Sequence, residues 1–98
     1  MSKFNEIIDG ETPVLVSFFA EWCESCKMMP PILQEVKTDL KGSLRIIKID
    51  VDKNLNLAKK FQIKGVPTVL LFKEGEVVWR ETGVVSSPIL KEKVAELV

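Results

Sequence analysis

The run VLVSFFA, from Val14 to Ala20, holds one polar side chain in seven residues. It is too short for a helix of ordinary length and rich in β-branched and aromatic residues, so it reads as a strand buried on both faces. Such a strand needs a layer above and below its sheet, and 98 residues must supply both. The remaining segments meet that demand. FNEIID predicts a short helix stopped by Gly10. Met29, Ile32, Leu33, Val36 and Leu40 recur at helical spacing, which predicts a helix from about Cys23 to Leu40 ended by Gly42. LRIIKIDV, residues 44–51, reads as a second strand, with a polar entry at Asp52 and Asn54 to a helix carrying Leu55, Ala58 and Phe61. TVLLF and EVVWRE, separated by KEG, read as a hairpin. Ser87 before Pro88 signals the start of a last helix, with Leu90, Val94 and Leu97 on one face.

The order (α)βαβαββα implies an α/β fold with a mixed four-stranded sheet flanked by helices. Strand 14–20 runs parallel to strand 44–51 through a right-handed crossover, and the hairpin is antiparallel. A reactive group then belongs at the carboxyl edge of the sheet, where the first strand hands over to its helix. Cys23 falls there. Residues 1–98 are expected to form one domain, since a second core would lack material. Fourteen basic and fourteen acidic residues cancel, which argues against nucleic acid or an acidic membrane as partner. No apolar run approaches the roughly 20 residues of a membrane span. MSKFNEIIDGETP has no apolar core and carries Glu6 and Asp9, so it does not read as a secretory signal, and a cytoplasmic location is expected.

Cys23 and Cys26 are the only cysteines, and the chain has no histidine. A tetrahedral zinc site wants four such ligands, so a metal held within one chain is disfavoured, while one bridging two copies stays open. A structural disulfide would close a very small loop and remove little chain entropy. Reversible exchange explains the spacing better. A thiolate attacks a disulfide, and a second thiol must reach back to release the adduct; one helical turn brings position 26 beside position 23. Amides and partial positive charge at a helix start favour the Cys23 thiolate, so Cys23 is the expected nucleophile and Cys26 the resolving thiol.

FFAEWCESCKMMPPIL resembles the active-site segment of thioredoxins, and IKGVPTVLLFKEGEVV resembles their second signature. The likeness runs from about Val14 to the C-terminus and includes Trp22, Cys23, Cys26, Lys27, Pro31, Lys48, Asp50, Gly65, Pro67, Thr68, Gly75 and Gly83. It implies a thioredoxin fold and reduction of protein disulfides, with recharging by an NADPH-dependent flavoprotein reductase and no bound cofactor. A monomer is expected. X–Pro bonds in folded proteins are only about 5–6% cis, but the resemblance implies a cis Pro67 packed against the cysteines. Val66 would then offer its backbone to an extended client by strand addition. Trp22 fits an apolar docking rim better than core filling.

Several positions depart from the family pattern. Glu24 and Ser25 replace the usual Gly-Pro between the cysteines: the carboxylate opposes a thiolate at Cys23, while the hydroxyl favours it. Ser17 stands where thioredoxins carry a buried aspartate thought to exchange a proton with the second cysteine, and Lys48 matches the lysine near it. Pro31 matches a family proline that kinks the helix, whereas Pro30 is extra and predicts a sharper bend or a weakened first turn. The family's first strand has no room before FNEIID, leaving LRIIKID as an exposed edge guarded by Arg45 and Lys48. Two alternatives to the oxidoreductase reading are a non-catalytic thioredoxin-like binding module and a metal-bridged dimer.

Overall fold

The structure is a computed structural model describing residues 2–98. Its elements are α1 (Ser2–Ile8), β1 (Val14–Phe19), α2 (Met29–Leu40), β2 (Arg45–Asp50), α3 (Leu55–Lys60), β3 (Thr68–Lys73), β4 (Glu76–Thr82) and α4 (Ser87–Leu97). The sheet order is β2-β1-β3-β4, with β2 parallel to β1 and β3 antiparallel to it. Within the hairpin β4 is antiparallel to β3. This is the expected mixed sheet, and among the described residues no strand precedes α1. β2 is therefore an edge strand. Arg45 at its start also donates from Nη1 to the Ile7 carbonyl at 3.2 Å, tying the end of α1 to that edge.

β1 is covered on both faces, as its composition requires. Leu15 packs with Met29, Leu33, Val36, Leu90 and Val94 beneath α2 and α4. Val14, Val16 and Phe18 pack on the opposite face with Phe4, Ile8 and Leu57 from α1 and α3. Alternate residues of one strand thus feed two cores, which the strand's two-residue period makes possible. Phe4 and Phe61 also meet Phe72 at ring-centroid distances of 5.9 and 5.4 Å, both edge-on. Such edge contacts are worth about 0.5–1.5 kcal/mol beyond area burial.

The structure corrects several local expectations. The helix predicted from Cys23 to Leu40 is two elements: a 3-10 turn over Ser25–Met28 and then α2. Pro30 and Pro31 have no N–H for the Cys26 and Lys27 carbonyls four residues back. The winding tightens instead, so the Met29 N–H bonds the Cys26 carbonyl and the Lys27 N–H bonds that of Glu24 at 3.1 Å. The backbone stays right-handed through Glu24, Met28 and Met29, so the turn feeds α2 directly. On α3 the buried residue is Leu57, whereas Leu55 is 68% exposed and Phe61 lies just past the helix. The hairpin loop is only Glu74–Gly75, both at positive φ (52° and 85°), because Lys73 already pairs with Glu76. Two positive-φ residues match the right-handed strand twist.

At α4 the N-cap is Ser86, with no side-chain cap bond, rather than Ser87. Ser87 is buried, and its hydroxyl donates to the Glu35 carboxylate of α2. Lys91 Nζ sits 2.5 Å from Asp39 Oδ2 and 3.9 Å from Glu35 Oε2, completing a polar clamp between α2 and α4. The hydrogen bond to Asp39 holds the Lys91 ammonium above its ordinary value of 10.5 against the opposing effect of partial burial, helped by the charges of Asp39 and Glu35. A raised folded-state pKa stabilises the fold fully below the unfolded value and is lost as pH rises through the folded one. Thermal unfolding is therefore expected to separate wild type from Lys91→Met by a steady margin up to about pH 10, closing at higher pH. A margin that persists unchanged into strong alkali would assign the clamp's contribution to packing instead.

Candidate functional site

The site grows from the carboxyl edge of the sheet. β1 ends at Phe19, and the Cys23 N–H closes a turn on the Ala20 carbonyl at 3.2 Å. Cys23 and Cys26 are joined as a disulfide with Cα atoms 5.3 Å apart, 6% and 5% exposed. They form a small cluster with Ala20, against which Phe19, Val51 and Val66 pack. Three groups converge on Cys23 Sγ. The Cys26 N–H donates to it at 3.2 Å, the Ser25 hydroxyl lies at 3.5 Å, and the Val66 carbonyl oxygen at 3.6 Å. Amide and hydroxyl are donors placed where negative charge would develop on that sulfur.

Register brings the other residues to the same edge. Phe19 pairs with Asp50, so β2 also ends here, and Phe18 pairs with Thr68, so β3 begins here. The Val66–Pro67 bond is cis, as the family resemblance implied, and Pro67 is buried. Its loop is held from both ends. The Gly83 N–H donates to the Pro67 carbonyl at 2.7 Å, and the buried Thr68 hydroxyl donates to the Gly65 carbonyl at 2.6 Å. Gly83 has φ +105°, a conformation that L side chains rarely adopt.

Trp22 is 73% exposed and so is not core filling. Its indole N–H donates to Asp52 Oδ2 at 2.8 Å, which anchors the ring at one end. Sequence reasoning read Asp52 only as a polar entry to a helix. The missing signal was the register that brings the end of β2 beside position 22. A shallow groove of about 110 Å³ lies along Trp22, Val51, Ile63, Lys64, Gly65 and Val66.

A larger cleft opens on the other side of the disulfide. About 390 Å³ in volume, it is walled by Phe19, Ala20, Met29, Pro30 and Leu33, with Ser17, Glu21, Cys26, Lys27 and Lys48 completing its lining. Ser17 is 2% exposed and pairs with Lys48 across β1 and β2, so both reach this cleft beside Cys26. Glu24 forms an exposed ion pair with Lys27, 2.7 Å long. Glu21 lies 3.6 Å from Lys53. Pro31 is exposed in the first turn of α2, away from the cleft lining. Of the residues singled out from sequence, Ser25 and Val66 meet the Cys23 sulfur, Trp22 shares a groove with Val66, Pro67 follows Val66 in the buried loop, and Ser17 and Lys48 line the cleft that Cys26 joins.

A thioredoxin family model matches residues 1–96. The chain belongs to the thioredoxin family. It is 44% identical over 71 residues to the thioredoxin of Rickettsia felis, covering 72% of this chain and 68% of that one. It is 36% identical over 97 residues to the bifunctional thioredoxin reductase/thioredoxin of Mycobacterium leprae, covering 99% of this chain and 21% of that protein. The structure of a mutant thioredoxin from Halobacterium salinarum superimposes with a TM-score of 0.88 at 30% identity, over 99% of this chain and 84% of that one. With the paired cysteines, this membership makes the chain a thiol–disulfide oxidoreductase, and neither alternative reading is favoured.

Asp52 gives a direct check on how the thioredoxin-type rim is held. Removing the acceptor in Asp52→Ala is expected to free the indole, lowering the fluorescence anisotropy of Trp22 on a Trp79→Phe background. Unchanged anisotropy would mean the ring is held by its apolar contacts alone.

Proposed function

We propose that this chain reduces protein disulfides, with Cys23 as the attacking sulfur and Cys26 as the resolving one. The observation that carries this reading is the convergence of the Cys26 amide and the Ser25 hydroxyl on Cys23 Sγ, beside the Val66 carbonyl. Donors stabilise an attacking thiolate, and a free backbone carbonyl at the same sulfur suits an extended client. In the cycle, the Cys23 thiolate displaces one client sulfur and forms a mixed disulfide. Cys26 then loses its proton, and its sulfur attacks Cys23 Sγ, expelling the second client sulfur. Client disulfide and one added proton, with the thiolate–thiol pair, give two client thiols and the Cys23–Cys26 disulfide.

Trp22, Val66 and Pro67 form the docking side in this reading. Ser25 and Glu24 tune the attacking sulfur in opposite senses, the Glu24 charge being offset by Lys27. Ser17 and Lys48 flank the resolving one, and Pro31 helps set the turn beneath it. A flavoprotein reductase recharges the oxidised form; the Mycobacterium leprae relative, which carries both activities in its name, supports that pairing. We place the cycle in the cytoplasm, as electron transfer to client proteins by a monomeric single domain, because a chain whose only cysteines form an exchange pair suits a reducing compartment.

Reduction of insulin disulfides by dithiothreitol, with catalytic protein, tests the assignment. Wild type is expected to accelerate it, and Cys23→Ser to fall back to the rate of dithiothreitol alone. Cys26→Ala is expected to accumulate a client-linked adduct visible by mass. If no adduct forms and Cys23 resists alkylation at neutral pH, the roles are wrong.

A further inference from the structure

We propose that the cleft behind Cys26 binds a small, uncharged nitrogen base from solution, and that this base takes the Cys26 proton during resolution. The inference rests on the exchange reading above and adds the identity of the proton acceptor.

The chemistry demands an acceptor. Cys26 S–H must lose its proton before the sulfur's electron pair can form the bond to Cys23 Sγ, while the bond from Cys23 to the client breaks with its pair on the client sulfur. The base leaves protonated and gives that proton up to water, from which the expelled client thiolate takes one, so the base is regenerated and no outside oxidant or reductant enters. A proton acceptor works best with a pKa near the working pH and within hydrogen-bond reach.

The walls offer no such group. Cys26 is packed with Ala20 and Cys23 against Phe19, Val51 and Val66, and it joins the lining of the large cleft. The groove along Trp22 does not include it. In the cleft, the Ser17 hydroxyl is far too weak a base near neutrality, and the Lys27 and Lys48 ammonium groups have no acceptor. Glu21 is the one carboxylate on the lining, and it is exposed and turned to Lys53 at 3.6 Å. Glu24, nearby, is spent on Lys27 at 2.7 Å. The chain contains no histidine to serve.

What the walls lack, the volume admits. About 390 Å³ would hold roughly a dozen waters at ~30 Å³ each, so a five-membered heterocycle fits with room to spare. Phe19, Met29, Pro30 and Leu33 favour an uncharged, flat molecule over an anion. Once protonated, that molecule shares the cleft with Lys48, which has no salt-bridge partner among the described residues. Like charge then favours its departure with the proton.

Single-turnover reduction of insulin by the pre-reduced protein, at fixed neutral pH and ionic strength, tests this with imidazole as the probe. The rate of the resolving step is expected to rise at least about threefold and saturate, below the roughly 10²–10⁴ of a built-in base. A bulky tertiary amine of matched pKa is expected to leave it unchanged. Ser17→Asp is expected to raise the rate without imidazole and flatten the response. Equal response to both bases would put proton transfer outside the cleft and overturn the proposal. So would a flat response to both, or a Glu21→Gln variant that loses the imidazole-free rate. These wild-type comparisons stand even if Ser17→Asp does not fold. Turnover that survives without any imidazole effect defeats this inference alone, whereas absence of turnover defeats the exchange reading itself.

Discussion

Two-sided burial of β1 is the constraint from which the site follows, because a strand sealed above and below leaves only its ends open to chemistry. Its neighbours then deliver their own ends to the same edge. Parallel β2 finishes opposite Phe19, which brings Val51 and Asp52 alongside. Antiparallel β3 starts opposite Phe18, which brings Val66 and Pro67. Three segments distant in sequence meet at the disulfide because one strand direction is parallel and the other is not. The Trp22–Asp52 bond and the contact between Cys23 and Val66 are consequences of that register.

The two sulfurs are alike in burial but not in surroundings. Cys23 faces the Cys26 amide, the Ser25 hydroxyl and the Val66 carbonyl, which also borders the Trp22 groove. Cys26 faces a roomier, mainly apolar cleft that β1 and α2 frame. The division arises from the prolines. Without N–H groups at positions 30 and 31 the chain winds as a 3-10 turn first, and its i→i+3 bonds carry the Cys26 amide onto Cys23 Sγ. The small Ser17 side chain leaves space behind Cys26, so Cys26 lines a cleft while the Cys23 sulfur meets Val66.

Much of this was legible in the residues. Short apolar runs, turn residues and the 3.6-residue period placed the four strands and four α-helices of the described residues, since these patterns report what is buried and where the chain turns. The cysteine spacing and the family resemblance singled out the sulfurs, Trp22 and the proline loop. Where the reading slipped, a local rule lost to a neighbour. Ser87 looked like a cap but found the Glu35 carboxylate across the helix interface. Leu55 matched a helical face, yet the core lies under Leu57.

The residues alone determined the elements, their order, the buried strand and the sulfur pair, because each depends on periodicity or on side-chain chemistry within a few positions. The tertiary structure alone decided that Asp52 holds Trp22, that Val66 meets Cys23 and that an open cleft lies behind Cys26. Those features depend on strand register and on the space left between packed layers, and neither is a property of any short stretch of chain.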